Sequence, residues 1–482
     1  MNRPRDTGGL SSLPDRTSFC FRPAGFAGFR GMALRFWFVL ALFPALAAGR
    51  GSLVSGPMLG YQAHRETLIW LETRDARTVS IEYEIEGKPA TTKILTVVTP
   101  PATPAGVQPV KFVLPLLEMG QRFTYRLMVD GKRQSFTYPL TFATTDQWEW
   151  RKPAPDFSFL FGSCAYLNDA PYDRPGSPYG KTLETFRLMA ESGAQFMVWG
   201  GDNLYLREAD FSSESGIWYR YSHDRATPEL QKLFASMHHY ATWDDHDYGS
   251  NDANRSFEFK ETSLAAFKAY WGNATWGEAD QAGVYGKFFW GDAAFILLDN
   301  RYHRDDTLLD QNRHPRKSQY GARQMDWLKQ SLLQTKVLGH YPFTFVVTGG
   351  QVITSFGGAS ETFDYFRHER EELLRFIEEH RIQGVIFLSG DVHFTELARK
   401  KVGATQWIYE LTASPLSSGV YTKAEAERPS DPQRVDGTLV VDQNFTQLSL
   451  SGPRGQRVLT VRCIDKTGTP RWRHDIQEAE LR

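Results

Sequence analysis

The chain has 482 residues, 41% of them hydrophobic and 23% charged, which is enough for two or more domains with packed cores. A formal net charge of −1, from 55 basic and 56 acidic residues, gives no sign of a protein that holds nucleic acid by bulk charge, and leaves local basic patches open. Three cysteines, Cys20, Cys164 and Cys463, are too few for a disulfide-built scaffold.

From Met32 the sequence reads MALRFWFVLALFPALAAGRG. Arg35 is a short basic start, and Phe36 to Leu46 is an apolar run of export-signal length, too short to span a bilayer comfortably. Ala45-Leu46-Ala47 supplies the small residues of a cleavage site. The alternative is a short buried core helix. Residues 1–48 are therefore expected to be an upstream extension and Sec-type signal peptide. The mature protein would be exported to the periplasm or beyond, without a transmembrane segment. Cys20 falls in the part expected to be removed, so Cys164 and Cys463 either pair or have separate roles.

Residues 53–145 carry short alternating runs such as TLIWLETR, TVSIEYEIEG, KFVLPL, RFTYRLMVDG and QSFTYPLTFAT, broken by Gly, Asp and Pro. This pattern predicts a small all-β sandwich of immunoglobulin or fibronectin type, with a core tyrosine in RFTYRL. Residues 146–156, DQWEWRKPAPD, read as a linker.

Over residues 157–482 the period changes. Apolar runs (FSFLFGSC, AQFMVWGGDNLY, HHYATWDDHD, AAFILLDNRY, FTFVVTGGQ, GVIFLSGDVHF, QWIYELTAS) alternate with stretches of helical spacing such as GARQMDWLKQSLLQ and EREELLRFIEEH. That is an α/β core with buried sheets, closed by strands in NFTQLSLSG, RVLTVRCID and TPRWRHDI.

Five of these runs end in candidate metal ligands: Cys164; Asp202 and Tyr205; Asp244, Asp245 and His246; Asp299 with Arg301; and Asp391 with His393. One strand-end aspartate is an ordinary turn residue. Several on one sheet rim repel one another unless cations neutralise them, and strand C-termini are where α/β folds place sites. No serine sits in a nucleophile elbow, and GGDNLY opens no dinucleotide loop.

The motifs FGSC, GGDNLY, TWDDHD followed by SND, LLDNRY, SGDVHF and ELTAS, in this order, resemble the calcineurin-like metallophosphoesterases and, within them, the alkaline phosphatase D (PhoD) family. The general superfamily pattern has histidine in the first motif, where this chain has Cys164, and asparagine-histidine in the third, where it has Asp244-Asp245-His246. Both departures are typical of the PhoD branch. The resemblance implies a double β-sandwich flanked by helices. It implies Asp202 as a carboxylate bridging the metals, with Cys164, Tyr205 and His393 on a ferric ion. Asp244, Asn251 and Asp391 would hold one or two calcium ions, with Asp252 and Asn254 competing for the place of Asn251. Zn²⁺ or Mn²⁺ is the alternative metal choice. Thiolate and phenolate suit iron, and carboxylate and amide oxygens suit calcium. His246 would touch substrate or protonate the leaving oxygen. Arg301 and Arg304 would bind the phosphate, although an arginine after a strand is often an ion-pair partner. Asp245 and Asp247 read as supporting or strand-end residues, and Asp364 and Tyr365 as rim residues.

The reading is a phosphoesterase acting on phosphomonoesters, phosphodiesters or both through metal-activated hydroxide, with catalytic roles for His246, Asp202 and Arg301. The expected partner is a small phosphate ester, not a stably bound nucleic acid. The alternative is a phosphodiesterase of phospholipase D type on lipid head groups, wall polymers or nucleic acid, with the choice made by loops 168–180 and 207–225. A non-enzymatic alternative is a surface glycan-binding module whose second domain is inactive.

Overall fold

The computed structural model describes residues 51–354, 362–403, 406–424 and 433–482. The expected export signal lies outside the described residues. Among them, no helix is long and apolar enough to cross a membrane.

Eight strands come first: β1 (Ser52–Gln62), β2 (Thr67–Arg74), β3 (Thr78–Ile85), β4 (Lys93–Val98), β5 (Gln108–Leu114), β6 (Arg122–Val129), β7 (Lys132–Arg133) and β8 (Thr141–Ala143). Alternation makes them. In β3 the residues Val79, Ile81, Tyr83 and Ile85 are buried, and in β6 Phe123, Tyr125, Leu127 and Val129. One sheet has the order β4-β3-β6-β7, with β8 also on β6. It shares a core with β2 and β5 built from Ile69, Leu71, Phe112, Ile81 and Leu127.

These strands are joined to the rest of the chain by backbone pairing. The next strands and helices are β9 (Phe157–Gly162), α1 (Glu184–Ala190), β10 (Phe196–Gly200), α2 (Glu208–Phe211), α3 (Glu214–Arg225), α4 (Pro228–Ser236) and β11 (His238–Thr242). Strand β1 pairs in parallel with β11 at Leu59 and His238. The sheet β20-β19-β18-β9-β10-β11-β1-β2-β5 therefore runs through both parts, where β18 is Asn444–Ser451, β19 Val458–Asp465 and β20 Pro470–Gln477. A proline in the middle of a central strand is unusual. Here the ladder shifts register between Ser55 and Met58, which takes Pro57 out of the pairing.

A second, six-stranded sheet has the order β12-β13-β14-β15-β17-β16, with β12 at Gly286–Trp290, β13 at Ala293–Leu297, β14 at Phe343–Val347, β15 at Val385–Ser389, β16 at Glu396–Val402 and β17 at Gln406–Thr412. The two large sheets face each other across a shared core of Phe159, Phe196, Val198, Phe295, Phe345 and Leu388. Phe159 sits edge-on to Phe295 and Phe345, both 5.1 Å away. Their apolar runs read continuously because both faces of each strand are covered. Helices α1, α3, α4 and α6 (Lys260–Tyr270) cover the outer face of the first sheet, with Phe186, Ile217, Leu233 and Phe267 in the core. Helices α7 (Ala322–Leu338) and α8 (Arg367–Glu379) cover the second through Met325, Leu328, Leu332 and Leu373. This is the double sandwich with flanking helices that the family resemblance implied. Residues 207–225 are not an open loop: they form α2 and α3 around Arg220, fully buried and paired with Asp210 at 2.8 Å and Asp224 at 3.2 Å. Cys164 and Cys463 are both free buried thiols.

Candidate metal centre

Strands β9, β10 and β11 run in parallel, so their C-terminal ends share one rim. The segment after β15 reaches the same place, with Asp391 O 3.8 Å from Cys164 Sγ. Two groups of ligand atoms form there. Cys164, Asp202 and His393 lie within 4.8 Å of one another, and so do Asp202, Asp245 and His246. Asp202 belongs to both groups.

Local backbone chemistry sets each side chain. Cys164 N–H donates to Gly201 O at 3.3 Å and Ala165 N–H to Asp202 O at 2.8 Å, which locks the end of β9 to the end of β10. The short helix α5 (Asp245–Tyr248) starts with Asp244 as its cap, and His246 N–H donates to Asp202 Oδ1 at 3.3 Å. Fully buried Asp247 accepts from the backbone N–H of Asn203 at 3.1 Å and of Asp244 at 3.1 Å, tying the β10 and β11 ends together. Asp245 Oδ2 accepts from Asp252 N–H at 2.7 Å. His393 Nδ1 is 2.5 Å from the Gly419 carbonyl, which can only accept. That bond fixes the proton on Nδ1 and leaves Nε2, 3.2 Å from the Tyr205 hydroxyl, with its lone pair toward the cluster. The Tyr205 and His246 rings are 4.2 Å apart between centroids.

The electrostatics point to cations. Burial, and then the charges of Asp245, Cys164, Asp244 and Asp247, push Asp202 well above the usual carboxylate range. Burial pushes the Cys164 thiol up to about 12, so only a cation would make the thiolate favourable. Burial lowers both His393 and His246, which keeps the imidazoles neutral and able to ligate. Asp245 Oδ1 and His246 Nδ1 are buried with no hydrogen-bond partner among the described residues. A thiol, carboxylates, imidazoles and a phenol converging in this way fit a metal centre.

Several sequence expectations land elsewhere. Asp245, read as a supporting residue, stands in a ligand group, and His246, read as a substrate residue, stands beside it. The signal was present in the Asp-Asp-His run; what the sequence lacks is the turn of α5 that aims the second aspartate. Asn251 is exposed on the turn after α5, and its neighbour Asp252 supplies the bond to Asp245. Asp244 Oδ1 accepts from Asn300 Nδ2 at 2.8 Å and from Arg301 Nε at 2.5 Å. Arg301 is fully buried in that pair, which makes it a positioning residue for Asp244 rather than a phosphate ligand. Arg304 is buried over the Phe366 ring at 4.7 Å and donates to Thr307 at 3.2 Å, which ties it to a neighbouring turn. Asp299 is structural: it accepts from Trp243 Nε1 at 2.7 Å and from the backbone of Val284, Arg301 and Tyr302. Asp364 pairs with Arg370 at 2.7 Å, and Tyr365 is half-buried. Sequence reading missed Asn300 and also Gly349, whose missing side chain leaves room for the Asp244 carboxylate.

Residues 159–461 match the sequence profile of the PhoD-like phosphatases. The chain belongs to the PhoD-like phosphatase family. It is similar to alkaline phosphatase D of Bacillus subtilis (strain 168), 26% identical over 372 residues that cover 67% of this chain and 59% of the relative. The chain thus spans under two thirds of that relative's length. Its fold is similar to a solved PhoD structure, with a TM-score of 0.69, 16% identity and coverage of 87% of this chain and 88% of that one. It is also similar to a purple acid phosphatase from yellow lupin (Lupinus luteus) seeds, with a TM-score of 0.59, 11% identity and coverage of 87% and 74%.

Proposed function

We propose that this member of the family is an exported, metal-dependent phosphoesterase that hydrolyses phosphomonoesters, phosphodiesters or both. The observation that carries the reading is the sharing of Asp202 by two ligand groups, the arrangement a bridging carboxylate requires. Cys164, His393 and Tyr205 would hold one cation, and Asp245 and His246, with Asp244 beside them, a second. Bound cations would supply a nucleophile from water near neutral pH and neutralise charge on the phosphoryl oxygens. The chain's own residues do the rest. Arg301 and Asn300 hold the Asp244 carboxylate in place. Gly419 orients His393. Asp247 fixes the spacing of the two strand ends. His246, partly exposed at the rim, would hold a cation through one ring nitrogen and offer the N–H of the other to a leaving oxygen.

The thiol and phenol together favour a ferric ion at the Cys164 side, with calcium or another oxygen-seeking cation at the carboxylate side. Iron bound by Tyr205 would absorb visible light, and Tyr205→Phe would shift or bleach that band. Cys164→Ser must be compared, since thiolate has a band of its own. A colourless active enzyme holding only zinc or manganese refutes iron. The test of the whole reading is metal analysis of the purified protein beside a panel of mono- and diesters. A metal-free protein that turns over no phosphate ester refutes it. Export is tested by the N-terminus of secreted protein, expected between about Ala48 and Ser55 from the small-residue cleavage rule.

A further inference from the structure

The metal centre lies where the strands end. A separate cavity of about 890 Å³ opens where the strands of the second sheet begin. Asp292, Pro342 and Gly384, which line it, stand immediately before β13, β14 and β15. The run from Pro342 to Gly349, beside the metal centre, spans about 23 Å at the usual rise of a strand. The two places are on opposite rims.

The cavity lining is cationic and aromatic. Two carboxylates lie in the wall, Asp292 and Glu478, and both are occupied. Asp292 pairs with buried Arg457 at 2.9 Å, and Glu478 pairs with Arg482. Arg151, Lys336, Arg381 and Arg454 also line the cavity and are exposed, with no carboxylate at ion-pair distance among the described residues. Four cations facing one space repel one another, and an anion relieves that repulsion. The lining also includes Trp148, Trp150, His340 and Tyr341. His340 sits edge-on to Trp148 at 6.0 Å and to Trp150 at 6.4 Å. Trp150 is 87% exposed and held in a left-handed backbone conformation, φ 63°. A large aromatic presented to solvent from a conformation that side chains avoid is a feature that folding alone does not favour. The volume lies within the range of small-molecule sites, roughly 300–1,000 Å³.

We propose that this cavity is a second, non-catalytic binding site for a small phosphate-bearing ligand with a flat ring, of which a mononucleotide is the simplest. The guanidinium and ammonium groups take the phosphate, and the tryptophans stack on the ring. The test is calorimetric titration of the metal-loaded protein with a mononucleotide phosphonate, whose C–P bond ester hydrolysis cannot break. Inorganic phosphate and the free nucleoside are titrated alongside. Besides binding at the metal centre, which inorganic phosphate shares, one further saturable site is expected in the cavity, with both fragments at least about tenfold weaker there, the loss that about 1.4 kcal/mol represents. Trp150→Ala and the double variant Arg381→Ala/Arg454→Ala are each expected to weaken the phosphonate by at least about tenfold. All three side chains are exposed, so the fold and any phosphate-ester turnover should be unchanged. The proposal is overturned if nothing saturates, or if inorganic phosphate binds as tightly and Trp150→Ala has no effect. It is equally overturned if His393→Ala abolishes binding while the cavity variants retain it, which would put the ligand at the metal centre.

Discussion

Replacing Arg301 with methionine removes a guanidinium from a fully buried site. Arg301 and Asp244 are both essentially fully buried, and Nε and Nη2 each lie 2.5 Å from Asp244 Oδ1. Methionine keeps the apolar stem and drops the charge, so Asp244 retains the Asn300 amide at 2.8 Å and loses its nearest cation. Removing one partner of a buried pair costs about 3–5 kcal/mol. A chain of this size unfolds with an entropy of about 0.9 kcal/mol/K, so the melting midpoint of chelator-treated Arg301→Met should fall by about 3–6 °C. On the proposed reading, added cations would bind beside Asp244 and replace part of the missing charge, so the deficit should shrink when metal is restored. The assay is thermal unfolding with and without chelator, beside metal content and KM. An unchanged midpoint and metal content with a raised KM would refute this reasoning and return the guanidinium to the phosphate.

Asp202→Asn should release metal from both ligand groups at once and lower turnover by more than the roughly 10–100-fold seen when a supporting partner of a metal ligand is lost. Exposed Glu208→Gln should do neither, as elemental analysis and initial rates will show. His246→Ala should slow alkyl phosphate esters more than nitrophenyl esters, since a proton donor contributes about 10²–10⁴-fold where the leaving group is poor. Equal losses would make His246 a ligand only. Gly349→Ala would put a methyl group 2.4 Å from the Asp244 carboxylate. Relieving that contact by about 1 Å should cost about 10²-fold in kcat/KM with the protein still folded by circular dichroism, and a wild-type rate would show that the loop gives way.

The parts of the fold built from apolar periodicity were legible, and those built from buried charge were not. The runs FSFLFGSC, AQFMVWGGDNLY, AAFILLDNRY, FTFVVTGGQ and GVIFLSGDVHF each contain one strand, β9, β10, β13, β14 and β15, because sheets covered on both faces demand unbroken apolar runs. Helix α3 was missed because the face it buries carries Arg220, Asp224 and Arg225, so no apolar stripe marks it. Strand β1 was not among the runs picked out, since Gly56 and Pro57 interrupt it, and the register shift between Ser55 and Met58 makes room for them. At the site, the strand-end residues Cys164, Asp202 and His393 stood out as chemistry at the ends of apolar runs. That Asp245 joins a ligand group while Asp244 is held by Asn300 and Arg301 was hidden, since two adjacent aspartates differ only in which way one helical turn points them.

The conformation that delivers the ligands also explains why they stand out. Cys164, Asp202, Asp391 and His393 all have positive φ, at 60°, 51°, 69° and 58°. An L-residue in this region is disfavoured by about 1–2 kcal/mol, and glycine is its usual occupant. Hydrogen bonds just beyond the strands hold the strain in place: Ala165 N–H to Asp202 O at 2.8 Å, and His393 N–H to Ser414 Oγ at 3.1 Å. A left-handed residue ends the extended run within one step, and so turns a side chain at the sheet rim toward its neighbours instead of along the strand. Glycine would make the turn at lower cost and leave nothing to bind with. Strain kept at successive strand ends, with a thiol, carboxylates and an imidazole in the strained places, is therefore a signature of function. Asp245 and His246 reach the same point without it, from a helical turn capped by Asp244. One side of the centre is thus built from strained strand ends and the other from the first turn of a helix. Asp202 is the residue the two sides share.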